Sequence, residues 1–397
     1  MQALDNIRVL DLTRILTGPF CTMMLADFGA DVVKIEPPAG DDTRRWGPPF
    51  INGESAYYLS VNRNKRSIVL DFRQKKDRDR FLAMVEKVDV VVENYRPGTM
   101  GKWGFDYEHL KAINPRLIMA SISGFGATGP GAARPGYDVV AQAMSGLMAV
   151  TGDGTAPVKA GFSVGDIGAG MWAAFGIMAA LWARERTGQG QWLDTSLYEA
   201  LISWQTYLAS NYHATGELPK PLGSAHPNIA PYQAIRAQDG YLVIACGNDA
   251  LWEKMVKECN IPFGDAPEYR TNPDRVERRA ELIQRLESEV FQYRPMNEWL
   301  ERLARAGVPA APIQSFAQVF ADPQVQHRQM DVVVDHPTAG PIHQLGIPVK
   351  MSATPGAIRM PPPLLNQHQQ EILREFGLDD ESLQDAGSRN PSAQAPE

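Results

Sequence analysis

The stretch Ile7-Arg-Val-Leu-Asp-Leu12 decides the fold class, because it is a strand-length run rich in Ile, Val and Leu that leads at once into helix signals. A helix is predicted from Pro19 to Phe28, ending at Gly29, and Ala30-Asp-Val-Val-Lys-Ile-Glu36 is the next strand. The alternation continues, with strands predicted at 67–72, 89–93, 117–123 and 191–197 and helices at 75–87 and 107–113. This pattern predicts an α/β fold with a doubly wound, mostly parallel sheet.

A change of composition near residue 215 predicts a second, smaller domain. The segment 218–227 has the proline and glycine content of a linker, and a strand at 240–245 and three helices between 249 and 306 follow it. We therefore expect a large domain over 1–215, a small α+β domain over 216–325 and a further segment over 326–378. The tail 379–397 lacks apolar periodicity and is predicted to be disordered.

Composition and charge exclude several functions. A net charge of −7 argues against nucleic acid or an anionic membrane as the main partner. Three scattered cysteines and seven histidines form no metal-binding pattern, so no metal is expected. The N-terminus lacks the features of a signal peptide, and the uncharged apolar run 171–182 is shorter than the ~20 residues that a membrane span needs. We expect a soluble, cytoplasmic protein.

One carboxylate, Asp166, stands among glycines in Gly161-Phe-Ser-Val-Gly-Asp-Ile-Gly-Ala-Gly170, where an apolar helix is predicted to begin. One interpretation is a helix N-cap, for which Asp is preferred over Ala by about 1 kcal/mol. The other is a nucleophilic carboxylate, because the glycines would let a bulky electrophile approach the backbone closely. Taken alone, the stretch favours the cap.

Cationic and polar residues follow several predicted strands, at the edge of the sheet where α/β proteins bind ligands. The group comprises Arg14, Arg44, Arg73, Asn94, Tyr95, Arg96 and Lys102. Each residue singly would be solvated surface, but together they favour a phosphate-bearing ligand. Tyr95, beside Arg96, would suit an adenine or a pantetheine arm. Neither a G-x-G-x-x-G nor a Walker sequence is present, so these dinucleotide and nucleotide fingerprints are excluded.

Taken together, these stretches resemble the class III CoA-transferases, over nearly the whole chain to about residue 378. The segments that carry the resemblance are Val9–Arg14, Gly29–Glu36, Asn62–Ser67, Val92–Gly98, Gly124–Pro130, Gly136–Asp138, Gly165–Gly170 and Thr187–Gly190. The resemblance implies that Asp166 attacks the thioester carbonyl of an acyl-CoA, giving a mixed anhydride and then an aspartyl-CoA thioester. On this ground we expect Asp166 to be the catalytic nucleophile.

The resemblance also implies a homodimer of two interlocked rings, in which the C-terminal segment returns to the large domain. The family's contacts with coenzyme A fall at Ile15, Leu16, Leu70, Arg73, Asn94, Tyr95, Arg96 and Lys102. Two departures are visible. Pro37 stands where some members place an arginine, and Gly223–Tyr232 replaces the glycine-rich lid of formyl-CoA transferase, which argues against a formyl or oxalyl substrate.

Among class III enzymes, the chain is most similar to the succinyl-CoA:dicarboxylate branch, such as glutarate CoA-transferase. This implies succinyl-CoA as donor and a C4–C6 dicarboxylate such as glutarate or itaconate as acceptor. The acceptor's distal carboxylate needs a cation, for which the candidates are Arg14, Arg44 and His226; Tyr137 and Asp138 are also assigned to the substrate site.

Three alternatives remain open. The acceptor is a monocarboxylate or a carnitine-like acid; the protein is a racemase or isomerase of the same family; or it is a non-catalytic CoA-binding relative. Tyr137 stands where the racemase branch has a histidine base, which speaks against the second. The intact Gly165-Asp-Ile-Gly168 speaks against the third.

Overall fold

The computed structural model describes residues 1–379. The tail 379–397 was predicted to be disordered, and residues 380–397 of it lie outside the described residues. Two compact units are found. The first comprises Met1–Gly146, Gly161–Thr206 and the described part of Gln324–Glu397, and the second comprises Leu147–Ala160 and Tyr207–Pro323. These limits differ from the domain boundaries predicted at 215 and 325, partly because Gly223 N donates a hydrogen bond to Gly152 O and holds 147–160 within the second unit.

Eight strands from the first 200 residues belong to the first unit. They are β1 (Arg8–Asp11), β2 (Asp31–Glu36), β3 (Phe50–Ile51), β4 (Glu54–Ser55), β5 (Lys65–Val69), β6 (Val90–Glu93), β7 (Ile118–Ser123) and β8 (Trp192–Ser196). Among the described residues, six of these strands form one parallel sheet in the order β5-β2-β1-β6-β7-β8, and β3 and β4 form a hairpin. The predicted α/β class with a parallel sheet is confirmed.

Helices connect these strands and cover the sheet. They are α1 (Thr17–Asp27), α2 (Ala56–Val61), α3 (Lys75–Val85), α4 (Thr99–Lys102), α5 (Tyr107–Ile113), α6 (Asp138–Met144), α7 (Leu147–Val150, in the second unit), α8 (Val164–Thr187) and α9 (Leu197–Ser203), with a 3₁₀ turn at Asp42–Arg45. The strands β1, β2 and β6 are almost entirely buried, as expected for parallel strands with helices on both faces.

The second unit is a smaller α+β body. Its three-stranded antiparallel sheet has the order β11-β10-β9, with β9 (Tyr232–Arg236), β10 (Tyr241–Ala245) and β11 (Ala310–Pro312). Its helices are α10 (Thr206–Thr215, whose first residue belongs to the first unit), α11 (Asp249–Cys259), α12 (Asn272–Glu277), α13 (Arg279–Arg285), α14 (Met296–Ala306) and α15 (Phe316–Ala321), with 3₁₀ turns at Pro267–Tyr269 and Phe291–Tyr293 and a π turn at Leu286–Val290. Trp252, Phe291 and Trp299 belong to its buried apolar core.

The chain continues through α16 (Pro323–His327) into the first unit, where it forms the antiparallel hairpin of β12 (Asp331–His336) and β13 (Gly340–Leu345) and then α17 (Gln369–Phe376). Ile372, Leu373 and Phe376 of α17 are buried in the same apolar core as Leu10 of β1 and Val33 of β2. The end of the described chain is therefore part of the core beneath the parallel sheet.

The longest helix, α8, corrects one sequence-based inference. It has 24 residues and passes beyond the uncharged run, through Arg184, to Gly188, whose φ of 70° ends it. By length and composition it is long enough to cross a membrane, so the judgement that this segment is too short was wrong. Half of its most apolar window is buried inside the protein, as expected for a core helix.

Candidate active site

The site lies at the carboxyl ends of β1 and β6, two neighbouring strands whose connections run to opposite sides of the sheet. In doubly wound sheets such a point opens a crevice between the two loops. The loop after β1 contains Arg14, and the loop after β6 contains Asn94. The Arg14 backbone N–H donates to Asn94 Oδ1 at 2.9 Å, and the Arg14 carbonyl oxygen accepts from Asn94 Nδ2 at 2.8 Å. The two loops are thus fixed to one another across the crevice.

Buried charges hold the loop after β1 in an unusual conformation. Ile15 has φ of 72°, a left-handed value that β-branched residues rarely adopt, and its N–H donates to the Asp41 carboxylate at 3.3 Å. The fully buried Lys34 Nζ donates to the same carboxylate at 3.0 Å and to Thr13 O at 2.9 Å. Burial alone would raise the pKa of Asp41, but Lys34 and the Thr43 N–H lower it, so this carboxylate stays ionised.

A second buried pair supports the start of the loop. Lys65 Nζ donates to Asp11 Oδ2 at 3.0 Å and to Pro19 O at 2.9 Å, and Asp11 also accepts the N–H and the hydroxyl of Thr13. Burial would raise the pKa of Asp11, whereas Lys65 and Lys34 lower it. The charged side chains of Asp11, Lys65, Lys34 and Asp41 therefore fix the backbone of this loop at Thr13 and at Ile15.

Asp166 lies in the first turn of α8 and is partly buried. Its Oδ1 accepts a hydrogen bond from the Thr17 hydroxyl, at the start of α1. Burial raises the pKa of Asp166 to about 6; the Thr17 hydrogen bond opposes this effect and the neighbouring Asp138 adds to it. At neutral pH the carboxylate is mostly ionised, yet poorly solvated, which is the state that a nucleophilic carboxylate requires.

Asp138, not Asp166, caps helix α8. Its Oδ1 accepts the N–H of Gly165 at 2.8 Å and that of Asp166 at 3.3 Å, and its Oδ2 accepts from Gln142 Nε2 at 2.6 Å. The N-cap interpretation of Asp166 was therefore wrong. Asp138, predicted as a substrate residue, is buried with both oxygens engaged by the protein itself.

Three cavities of the first unit surround the crevice. The Asp166 cavity has a volume of about 120 Å³ and is lined, among others, by Arg14, Ile15, Thr17, Asn94, Tyr95, Arg96, Arg134, Tyr137 and Asp166. The Arg73 cavity, about 430 Å³, is lined by Arg14, Ile35, Pro37, Leu70, Arg73, Tyr95 and Trp103, among others. Because these two share Arg14 and Tyr95, they adjoin. The Trp192 cavity, about 350 Å³, is lined by Glu93, Tyr95, Arg96, Trp192 and Asp194, among others.

Most of the predicted CoA residues line the first two cavities. The exceptions are Leu16, which directly precedes α1, and Lys102, the exposed last residue of α4, which line neither of them. Tyr95 packs edge-on against Trp103, with ring centroids 5.3 Å apart, at the junction of the two cavities. Together the two neighbouring cavities extend from Arg73 to Asp166.

The three cations proposed for a distal carboxylate have different surroundings. Arg14 is exposed and lines the Asp166 cavity, with Asp42 as an exposed ion-pair partner at 3.2 Å. Arg44 is largely engaged by the protein: its Nε and Nη2 bind Glu36 at 2.7 and 2.6 Å, Nη2 also donates to the Tyr58 hydroxyl at 2.6 Å, and the side chain is 11% exposed. With Nε and Nη2 occupied and the side chain largely buried, Arg44 is a weaker candidate for a substrate carboxylate than the exposed Arg14.

His226 belongs to the second unit. Its Nδ1 accepts the Asn228 N–H at 3.1 Å, and its ring lies between those of Tyr207 and Tyr232, with centroids 4.9 and 5.3 Å away. Burial and the charge of Arg279 lower the pKa of His226, which favours the neutral ring. A neutral imidazole would bind a carboxylate more weakly than an arginine does.

Sequence reasoning missed three residues of the site. Arg134 lies between two of the segments that carry the family resemblance and lines the Asp166 cavity with an exposed side chain. Thr17, the first residue of α1, was given no role from the sequence, although it directly follows the predicted contacts Ile15 and Leu16. Glu93, at the end of β6, is buried in the Trp192 cavity, and burial raises its pKa to about 7.

Comparison with known proteins places this geometry in a family. Residues 4–369 match the model of CoA-transferase family III. The chain is 44% identical to mouse succinyl-CoA:glutarate CoA-transferase, over 94% of this chain and 86% of the relative, and 42% identical to succinyl-CoA:mesaconate CoA-transferase of Haloarcula marismortui, over 96% and 98%. The crystal structure of a CAIB/BAIF family protein from Brucella suis superposes with a TM-score of 0.83 at 43% identity, over 94% of this chain and 99% of that one. The protein is therefore a member of CoA-transferase family III.

Proposed function

We propose that Asp166 is the nucleophile of a CoA transfer from succinyl-CoA to a dicarboxylic acid. The observation that carries this proposal is a partly buried carboxylate with a raised pKa, of about 6, in a cavity that Arg14, Arg96 and Arg134 also line. Such a carboxylate is ionised at neutral pH but poorly solvated, and cations around it suit reactants that are themselves anions.

The reaction proceeds through four acyl transfers. The Asp166 carboxylate attacks the thioester carbonyl of the donor, expels the CoA thiolate and forms a mixed anhydride. The thiolate then attacks the Asp166 carbonyl and expels the donor acid, leaving an aspartyl-CoA thioester. The acceptor carboxylate attacks the same carbonyl and expels the thiolate, which finally attacks the acceptor's acyl carbon and releases the Asp166 carboxylate.

Coenzyme A would lie along the Arg73 and Asp166 cavities, with its phosphates near Arg73 and its thiol near Asp166. Arg73 is exposed and held by Asp71, its partner at 2.8 Å, and Leu70 precedes it at the end of β5. Arginines at strand ends suit phosphate, because the guanidinium makes paired, charge-assisted hydrogen bonds. Pro37, which stands where some members carry an arginine, lines the same cavity.

A dicarboxylate acceptor fits the charge of the Asp166 cavity. One carboxylate must reach Asp166, and the second would be buried at a cost of several kcal/mol unless a cation meets it. Arg14 and Arg134 are the arginines to which we assign this contact, because both side chains are exposed and line the cavity, whereas Arg44 is engaged elsewhere. The transferase relatives act, by name, on glutarate and mesaconate, which supports a C4–C6 dicarboxylate.

The acceptor is tested with the purified enzyme, succinyl-CoA and pairs of acids of equal length. Glutarate and itaconate should exceed the matched monocarboxylates by roughly a hundredfold in kcat/KM, on the order of the ~3 kcal/mol that a charged hydrogen bond supplies. Oxalate and carnitine complete the panel. Butyrate or carnitine as the better acceptor would leave the family assignment standing and overturn the dicarboxylate.

The nucleophile is tested separately. Asp166→Ala should abolish transfer while CoA binding, measured by calorimetry, survives, because the phosphate contacts lie elsewhere. Transfer within tenfold of the wild-type rate would refute the role of Asp166. The racemase alternative is tested in wild-type enzyme with a chiral 2-methylacyl-CoA, on which we expect no inversion, because Tyr137 stands where the racemase branch has a histidine base.

We also propose a cytoplasmic homodimer with interlocked chains. The support for an assembly is an apolar stripe on α8: Met171, Phe175, Met178 and Trp182 recur at helical spacing and are 46%, 66%, 41% and 68% exposed in the single chain. A stripe of this kind is expected to be buried in an assembly. The interlocking rests on the family resemblance alone, and the location on the sequence alone. Light scattering should give twice the chain mass of 43.8 kDa, and a monomer at micromolar concentration would contradict the proposal.

A further inference from the structure

We infer that the Thr17 hydroxyl is a second catalytic group, which donates a hydrogen bond to the carbonyl oxygen of Asp166 whenever that carbonyl is attacked. The inference rests on the proposed function, because it requires Asp166 to be the residue that becomes acylated. It adds a donor that acts on the enzyme's own carbonyl group.

The contact joins the first residue of α1 to the first turn of α8. Thr17 is 4% exposed, and its hydroxyl bonds to Asp166 Oδ1. An ionised carboxylate only accepts hydrogen bonds, so Thr17 is the donor. Among residues 1–379, no other side chain hydrogen-bonds to the Asp166 carboxylate. The hydroxyl therefore distinguishes Oδ1 from Oδ2.

Close packing of the two helices fixes this contact. Gly170 is one turn beyond Asp166 on α8, and a Cβ atom there would come within 2.6 Å of Thr17 O. On the other side, a Cβ at Gly18 would come within 2.3 Å of the Thr13 side chain, which Asp11 anchors. Gly170 thus lets the backbone of Thr17 approach α8 closely, and Gly18 lets the same segment pack against Thr13, so the hydroxyl is held in place before any substrate binds.

The distinction between the oxygens assigns their roles in the first step. Oδ1 is already hydrogen-bonded, so Oδ2 is the better nucleophile and becomes the bridging oxygen of the mixed anhydride. Oδ1 then becomes the carbonyl oxygen of the acylated residue. The hydroxyl of Thr17 remains beside it throughout.

The second and third steps are the ones that this donor serves. When the thiolate attacks, the new C–S bond forms at Asp166 Cγ and the π-electron pair of the carbonyl moves to Oδ1. Collapse of this tetrahedral anion re-forms the carbonyl and breaks the bond to the bridging oxygen, which leaves as the carboxylate of the donor acid. The acceptor carboxylate repeats the sequence with the thiolate as leaving group. In both, the negative charge develops on Oδ1, where a fixed donor stabilises it.

Loss of one such donor lowers kcat by about 10²–10³-fold in acyl-transfer enzymes. The step in which Asp166 attacks the donor thioester places its charge on the substrate's oxygen, so Thr17 does not assist it. Removal of the Thr17 hydroxyl should consequently slow both the formation and the discharge of the aspartyl-CoA thioester, with CoA affinity preserved.

The test compares wild type with Thr17→Val, which keeps the shape, Thr17→Ala, a second variant without the donor, and Thr17→Ser, which restores it. Enzyme is mixed with succinyl-CoA and quenched, and the CoA adduct on the peptide containing Asp166 is quantified by mass spectrometry; glutarate is then added and its discharge followed. We expect both rates to fall at least a hundredfold in the valine and alanine variants. Thr17→Ser should stay within tenfold of wild type, and the dissociation constant for CoA within threefold throughout.

A second readout separates catalysis from mere packing. The Thr17 hydrogen bond lowers the pKa of Asp166, so the acid limb of kcat/KM should move to higher pH in Thr17→Val and return in Thr17→Ser. Adduct formation and turnover within tenfold of wild type in both donor-free variants would overturn the inference, as would a serine variant as slow as the valine one. If wild-type enzyme transfers CoA without any adduct at Asp166, the proposed nucleophile fails first, which the wild-type sample alone reveals.

Discussion

Replacing Asp166 with asparagine should inactivate the enzyme and at the same time stabilise its fold. Asparagine keeps the shape of the side chain and an oxygen that can accept the Thr17 hydrogen bond, but it carries no charge. The pKa of Asp166 is raised from 3.8 to about 6 by burial, so ionisation of this group opposes folding. The substitution removes that opposition.

The magnitude follows from the pKa. The interval between 3.8 and about 6 corresponds to about 3 kcal/mol of unfolding free energy. Because Asp166 lies at a cavity that water reaches, we expect about 2 kcal/mol. Linkage sets the sign. The folded state binds the Asp166 proton more tightly than the unfolded state does, so the contribution of this group to the free energy of unfolding is most favourable below pH 4. That contribution is lost as the pH rises through 6. The difference between the variant and wild type should therefore be largest at pH 8 and about half as large at pH 4.5, which still lies above the unfolded-state pKa of 3.8.

The measurement is urea unfolding followed by circular dichroism at both pH values, at one fixed protein concentration because the proposed assembly is a dimer. Asp138→Asn is the matched control. It replaces the carboxylate that caps α8 with a neutral amide, which weakens the cap, so it should destabilise the protein by about 1 kcal/mol at both pH values. An Asp166→Asn variant that is no more stable than wild type at pH 8 would refute the assignment of a desolvated, ionised carboxylate.

Three further outcomes are expected. The kcat/KM of wild type should decrease as the pH is lowered through about 6, because Asp166 must be ionised to attack. Burial also raises the pKa of Glu93, to about 7, but Glu93→Gln should leave this acid limb in place. A shift of the midpoint in Glu93→Gln would assign the limb to Glu93 instead. Arg73→Ala should weaken CoA binding in calorimetry, and unchanged affinity would show that the phosphates lie elsewhere. Arg14→Ala or Arg134→Ala should erase the preference for dicarboxylates while turnover of monocarboxylates continues. Arg44→Ala should chiefly lower thermal stability. If Arg44→Ala alone loses the preference, the assignment of Arg44 as a structural partner of Glu36 is wrong.

The parallel sheet could be predicted from sequence because its strands are short apolar runs separated by helical patterns. All six strands were anticipated within a few residues, and their loops were correctly placed at one edge. The α8 segment was underestimated, since the uncharged run 171–182 was taken as its extent, although basic residues such as Arg184 and Arg186 are favourable in the last turn of an otherwise apolar helix. Periodicity thus located the elements better than it located their ends.

Side-chain partners were beyond the reach of the sequence. Arg44 and Arg14 look alike as cations after strands, but only the folded chain shows that Glu36 and Tyr58 surround Arg44. The cap of α8 was assigned to the nearest carboxylate, Asp166, whereas Asp138 supplies it from 27 residues away. Such pairings depend on which strands and helices become neighbours, and local sequence does not contain that information.

The left-handed backbone of Ile15 has a consequence for the entropy of ligand binding. An isoleucine in this conformation is disfavoured by roughly 1–2 kcal/mol, and it is held there by the Asp41 carboxylate and its partner Lys34. A flexible loop would have to be ordered at each encounter with a ligand, at about 0.5–1.5 kcal/mol for each immobilised side chain. Here that ordering is completed once, when β2 brings Lys34 beneath the loop during folding. Succinyl-CoA and free CoA would then meet the same rigid wall, and the enzyme can exchange one for the other many times without re-forming it.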